Sequence, residues 1–379
     1  MRERLKKFHD YFQASLGRVV DTLERLVAME TPSRDRARID RFAEHYADLL
    51  RPHCSRVSIV AGDLGARVRA ECGSGNRTIL VLGHIDTVWP AAATADKPRL
   101  RRDGDRLYGP GVFDMKAGLC LVLFAFEAMA RLGVEPDRRV LLLCTPDEES
   151  GSPSSREAIE REAAEAAAVV VLEPPLDDGS LKMRRKGGGR FRIEVSGREA
   201  HAGINPHDGV NALHELALQV ARLVDMNDLD KGITVNVCRA AGGSAENVIP
   251  GRAWAVVDFR TLTASQAEEL AAEIAGLEPI LEGAGLEITG GIARRPVEET
   301  PESMHLASLA QEIAAELEMP LEVGVSGGGS DGSFTAALGI PTIDGLSLDG
   351  AGAHCLGEHV VTSRIPQRGA LLAELLLRI

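Results

Sequence analysis

TILVLGHIDTVWP, residues 78–90, joins an apolar run to a loop that carries His84 and Asp86. A short apolar run closed by polar and turn residues suits a buried strand. RVLLLC at 139–144 and AAVVVL at 167–172 repeat the pattern. Between the first two, Leu119, Val122, Leu123, Phe126 and Met129 recur at helical spacing and form one apolar stripe. Strands separated by helices of this length need crossover connections, so the sheet is expected to be largely parallel.

The pattern changes after Lys186. GRFRIEVS at 189–196 alternates with period two, and a helix is expected at about Pro206 to Val224. Strands at Ile233–Arg239 and Ala253–Phe259, a helix at Thr263–Leu281 and a last strand at Leu286–Thr289 follow. That order, β-α-β-β-α-β, is a complete ferredoxin-like unit. From about Pro301 helix and strand alternate again: Ser303–Leu317, Thr342–Gly345, then a helix ending LLAELLLRI. The expected architecture is α/β, a mostly parallel mixed sheet flanked by helices in segments 1–186 and 296–379, with an α+β domain inserted at 187–295.

Composition narrows the function. With 43 basic and 56 acidic residues in 379 the net charge is −13, which argues against a nucleic-acid binder. The one basic run, Arg184-Arg185-Lys186 with Arg190 and Arg192, reads as a solvated strand edge or a small anion site. The longest uncharged apolar run, Ala117 to Phe126, is half of the ~20 residues a membrane span needs, and no apolar segment follows the basic start. The six cysteines lack C-x-x-C spacing, so neither a disulfide framework nor a structural zinc site is indicated. A soluble, cytoplasmic protein is expected.

The residues suited to chemistry follow the apolar runs. Residues i and i+2 of an extended chain face the same side, so Asp86 can support the His84 ring as carboxylates do for metal-bound imidazoles; an isolated H-x-D is more often a polar loop. YGPGVFDMKAG places Asp114 in a Gly-rich turn, where it could equally cap the next helix. TPDEESGS carries Asp147, Glu148 and Glu149, in isolation a solvated acidic turn. Glu173 follows AAVVVL, and His354 lies in GAGAHCLGEH. Open α/β sheets bind ligands beyond the carboxyl ends of their strands. Gathered there without cations, Asp86, Asp114, Glu148, Glu149 and Glu173 would repel strongly. Imidazole plus carboxylate donors suit zinc, with manganese or cobalt as alternatives.

GHIDTVWP, GPGVFDMKAG, TPDEESGS, Glu173-Pro174 and the Gly-rich segment to His354 together resemble the dinuclear zinc family of aminoacylases, acetylornithine deacetylases and carboxypeptidases, most closely its bacterial glutamate carboxypeptidase (folate-hydrolysing) group. The resemblance implies two Zn²⁺ per chain. Asp114 bridges them, His84 and Glu173 complete one site, and Glu149 and His354 complete the other. It implies Glu148 as general base, Asp86 as partner of His84, and a cis peptide at Asp114–Met115. Each zinc then keeps a position for a shared water.

The inserted unit resembles the family's lid and dimerisation domain. His201, on composition alone a loop residue, would reach the active site of the other subunit of a homodimer and stabilise an oxyanion. Asn247 and Arg260 match positions that hold a substrate carboxylate, which Arg binds bidentately; a surface salt bridge is the competing reading for Arg260. Gly327, Gly328 and Gly329 could add backbone N–H donors or be a flexible turn. Where the carboxypeptidase branch carries a substrate-binding Lys, eight residues after the Glu173 position, this chain has Leu181, with Lys182 facing the other way.

The expected function is two-zinc hydrolysis of an amide bond in N-acyl amino acids or peptides bearing a free carboxylate. The alternatives are an acetylornithine-type deacetylase or aminopeptidase of the same family, a non-peptide hydrolase such as a deaminase, and a non-catalytic metal-binding homologue.

Overall fold

The computed structural model describes residues 2–91 and 97–379. By its internal contacts the chain forms two units: residues 1–183, 299–326 and 330–379, and residues 184–298 with 327–329.

The first unit is built on a six-stranded sheet. Its order is Arg56–Val60, Arg67–Cys72, Arg139–Thr145, Thr78–His84, Ala166–Val171, Thr342–Asp344. The last four run parallel and the first two are antiparallel additions at one edge. The central strand Thr78–His84 is buried throughout, which explains its unbroken apolar run. Ile79 and Val81 join the larger core on one face, while Leu80 and Leu82 join a second core on the other. The stripe helix Ala117–Leu132 lies in the larger core with the long helices Glu3–Ala28 and Ile365–Arg378. Gly118 makes this packing possible, because a Cβ there would lie 2.3 Å from the Leu172 carbonyl oxygen. Among the described residues no helix is long and apolar enough to cross a membrane.

The second unit is a four-stranded antiparallel sheet with two helices. The spatial order Gly285–Arg294, Gly187–Ser196, Arg252–Thr261, Thr234–Gly242 is the 4-1-3-2 arrangement of a ferredoxin-like unit. Phe191, Ile193 and Val195 alternate into its core, as their period-two spacing requires.

Two helices differ from the sequence expectation. The one expected from Pro206 begins at Ala212, after a single 3₁₀ turn at Pro206–Asp208, and Asn211 caps it by accepting from His214 N–H. The one expected to reach Leu281 stops at Ala275, before Gly276. Arg185 also corrects the sequence reading. It is 2 % exposed rather than a solvated edge residue, and its guanidinium donates to the carbonyls of Gly328 and Gly329, each at 3.2 Å.

Candidate metal centre

Three adjacent parallel strands end together, and each delivers a donor. His84 closes the central strand and pairs in register with Thr145 on one neighbour; Glu148 and Glu149 follow that neighbour. Glu173 follows the strand on the other side, two residues past Val171. Asp114 comes from the irregular turn Val112–Lys116, which enters the stripe helix after Gly111 in the left-handed region (φ 71°). The peptide Asp114–Met115 is cis. His354 sits in a loop, itself left-handed at φ 61°.

Around Asp114 the donors fall into two trios. His84 Nε2 lies 3.1 Å from Asp114 Oδ1 and 3.4 Å from Glu173 Oε1. His354 Nε2 lies 3.3 Å from Asp114 Oδ2 and 3.2 Å from Glu149 Oε2. A tetrahedral zinc ion, with bonds of about 2.0–2.2 Å, spaces its donors about 3.3–3.5 Å apart. These imidazole–carboxylate spacings suit donors to a common cation, and two sets, His84 with Glu148 and Glu173 and His84 with Asp114 and Glu149, each have donor atoms within 4.8 Å of one another. Glu148 stands beside the first trio, its carboxylate within 4.8 Å of the His84 and Glu173 donors.

The charges point the same way. Burial alone would pull the His84 imidazole down, but hydrogen bonds to Asp114, Asp86 and Glu173 outweigh it and hold the ring well above its ordinary value. Hydrogen bonds to Asp114 and Glu149 push His354 up to about 11. Burial opposes ionisation of Asp114, yet the two imidazoles hold its carboxyl far below the usual carboxylate range. Burial leaves Glu149 raised. Without metal, imidazolium protons supply the positive charge that this carboxylate cluster demands. Divalent cations would supply it more fully at the same positions.

Asp86 acts differently from a simple carboxylate partner of His84. The His84 Nδ1 contact runs to the Asp86 carbonyl oxygen at 2.9 Å, against 3.5 Å to its Oδ1. With Nδ1–H donating there, Nε2 keeps its lone pair for a metal. The Asp86 carboxylate instead accepts from the N–H groups of Glu148 (3.1 Å) and Glu149 (3.3 Å) and from the Ser33 hydroxyl (2.7 Å). It thereby aims the acidic loop. Asp147 turns away, accepting from Ser154 N–H at 2.6 Å and from the Ser155 hydroxyl. Lys116 also points elsewhere, its amine 2.8 Å from the Met29 carbonyl, and burial pulls it down to about 7.

The remaining candidates belong to the second unit. His201 is exposed, and its Nδ1 accepts from the N–H groups of Gly203 and Ile204, each at 3.1 Å. A neutral ring so held carries its proton on Nε2, as a donor. The Asn247 carbonyl accepts from Ala202 N–H at 2.9 Å. Arg260 grips Asp258 with Nε and Nη2 at 2.9 and 3.0 Å, so that edge of its guanidinium is occupied. Gly328 and Gly329 turn their carbonyls to Arg185.

Ser33, Trp89, Arg185 and Glu358 were not picked out from the sequence as parts of these sites. Trp89 and Glu358 lie inside the quoted motifs, but only their distant partners reveal what they do.

Imidazole and carboxylate donors gathered where three parallel strands end, with the Glu148 carboxylate among them, could hold metal ions. The family model for peptidase family M20/M25/M40 matches residues 80–378, and the chain belongs to that family, whose members hydrolyse amide bonds. The chain is 31 % identical over 395 aligned positions to carboxypeptidase G2 of Pseudomonas sp. (strain RS-16), covering 98 % of this chain and 92 % of that one. It is also 31 % identical to succinyl-diaminopimelate desuccinylase of Paracidovorax citrulli, over 83 % of each. In fold it is similar to aminopeptidase PepT of Bacillus cereus, with a TM-score of 0.78 at 19 % identity, over 96 % of this chain and 98 % of that one.

Proposed function

We propose that this chain cleaves the amide bond of N-acyl amino acids or short peptides that carry a free carboxylate, using two zinc ions. The observation that carries the reading is the Asp114 carboxylate, one oxygen facing His84 and the other His354. His84 and Glu173 would hold one ion, Glu149 and His354 the other, and Asp114 both. Bound there, the ions supply Lewis-acid polarisation of the scissile carbonyl and acidify water.

The chain's own residues do the rest. Glu148 takes a proton from the attacking water on its carboxylate and returns it to the departing amine. Asp86, through the Glu148 and Glu149 N–H groups, keeps one carboxylate on the metal side and the other toward the substrate. His201 Nε2–H, from a second copy in a homodimer, donates to the oxyanion. Asn247, Arg260 and the N–H groups of the Gly327–Gly329 turn receive the substrate carboxylate, Arg260 by exchanging Asp258 for it.

Leu181 is wholly buried and offers no charge to a glutamate side chain. The reading therefore commits to the carboxylate next to the scissile bond and not to glutamate. Side-by-side assay of the zinc-loaded protein on an N-acyl-glutamate, an N-acetyl amino acid and an unblocked dipeptide tests it. Hydrolysis of the N-acylated, carboxylate-bearing compounds is expected, with loss of activity on esterifying the carboxylate. Preference for the unblocked dipeptide would replace this reading with an aminopeptidase.

A further inference from the structure

Glu358 is wholly buried and accepts four hydrogen bonds, all from groups distant in sequence. Its Oε1 accepts from the backbone N–H groups of Phe113 at 2.9 Å and Asp114 at 3.1 Å. Its Oε2 accepts from Gly111 N–H at 2.9 Å and from the Trp89 indole N–H at 2.7 Å. The Glu358 carbonyl also accepts from Gly109 N–H at 3.3 Å. One residue therefore fastens the segment after His84, the turn that carries Asp114, and its own loop, which also carries His354.

From this geometry we infer that Glu358 is a positioning residue for the two cation sites: it sets the backbone of the turn that aims Asp114, and so the separation of the two trios. The inference rests on the two-metal reading above. Asp114 (φ −115°, ψ 94°) and Met115 (φ −135°, ψ 35°) lie outside helical geometry, so a regular helix does not serve the N–H groups of this turn. Buried and unpaired, each would be costly. An ionised carboxylate presents acceptors on both of its oxygens. Glutamine has one acceptor oxygen, so two of the four donors would face an NH₂ group. Lys116, buried in the same turn, donates to the Met29 carbonyl at 2.8 Å and is not among the four donors on Glu358.

The test uses the metal-free full-length chain titrated with Co²⁺ alone, followed by visible absorption, beside thermal melts without metal. Two equivalents are expected for the wild type. Glu358→Gln should weaken cobalt binding about 10–100-fold, the usual effect of losing a group that orients a ligand, and change the absorption band. Trp89→Phe, which removes one donor and leaves the carboxylate, should weaken binding in the same direction by less. If both variants melt earlier but bind cobalt with wild-type affinity and spectrum, Glu358 merely supports the fold and the positioning role is overturned, with the two-metal reading intact. A wild-type chain that takes up fewer than two ions overturns that reading, and this proposal with it. Should Glu358→Gln yield no folded protein, Trp89→Phe decides by the same outcomes.

Discussion

Asp114 Oδ2 lies 3.3 Å from His354 Nε2, on the opposite oxygen of the carboxylate from the one that faces His84. A carboxylate placed between two imidazoles can serve two cations, and its loss should be felt at both sites. His354→Ala is expected to leave about one zinc per chain, because the His84–Glu173 pair keeps its own ion. Asp114→Asn should leave less than one. Metal analysis after exhaustive dialysis checks both, and equal stoichiometry in the two variants would contradict the shared role.

Glu148→Gln removes the proton acceptor and keeps size and shape. Fold and zinc content should persist while kcat falls about 10²–10⁴-fold, the range for loss of a general base. Turnover within a few-fold of wild type would reassign the base.

If His201 of one copy serves the other, the His201→Ala and Glu148→Gln lesions of a mixed dimer fall in the same active site and leave the other site intact. Each variant alone should be nearly inactive, and unfolding and refolding them together should restore activity. A mixture no more active than its components would remove His201 from catalysis in trans.

Gly118→Ala places a Cβ against the Leu172 carbonyl, whose chain continues directly to Glu173. Backbone cannot yield as a side-chain tip can. A loss of about 1–3 kcal/mol is expected in urea unfolding, the usual cost of overpacking. An unchanged midpoint would show that the helix has room to shift.

Glu374 is buried on the last helix and accepts from Arg4 Nη2 at 2.8 Å and Arg378 Nε at 2.7 Å. Burial raises its carboxyl, but the two guanidinium groups outweigh burial and hold it below the ordinary 4.5. A depressed folded value means the unfolded chain binds the proton more readily. The contribution is therefore complete above about pH 4.5 and fades as pH falls through the folded value. Glu374→Gln should cost about 3 kcal/mol at pH 7, near the lower end for breaking a buried pair because Arg4 is partly solvated. Urea unfolding at descending pH should show the gap to wild type narrowing; a widening gap would contradict the sign.

The parallel core was legible because strands buried on both faces are apolar at every position, as in Thr78–His84. The inserted unit was legible because one face is wet, so Phe191, Ile193 and Val195 alternate with Arg192 and Glu194. The edge strands Arg56–Val60 and Arg67–Cys72 were not read, although RVRAEC alternates with period two, because each is short and holds only three apolar residues. Nor was the first helix, although Leu5, Phe8 and Phe12 sit at helical spacing and are buried.

The donor residues could be read because each follows its own strand or motif, and strand ends converge by topology. Glu358 and Arg185 could not. What Glu358 does depends on N–H groups 244 to 247 residues away, and Arg185 turns inward because two glycine carbonyls meet it there. No local spacing records either contact.

Crystals of the zinc-loaded protein, with diffraction recorded on both sides of the zinc absorption edge, test the central claim most directly. Two anomalous peaks flanking the Asp114 carboxylate are predicted, one bound by His84 and Glu173 and the other by Glu149 and His354. A single peak, or peaks elsewhere on the chain, would contradict it.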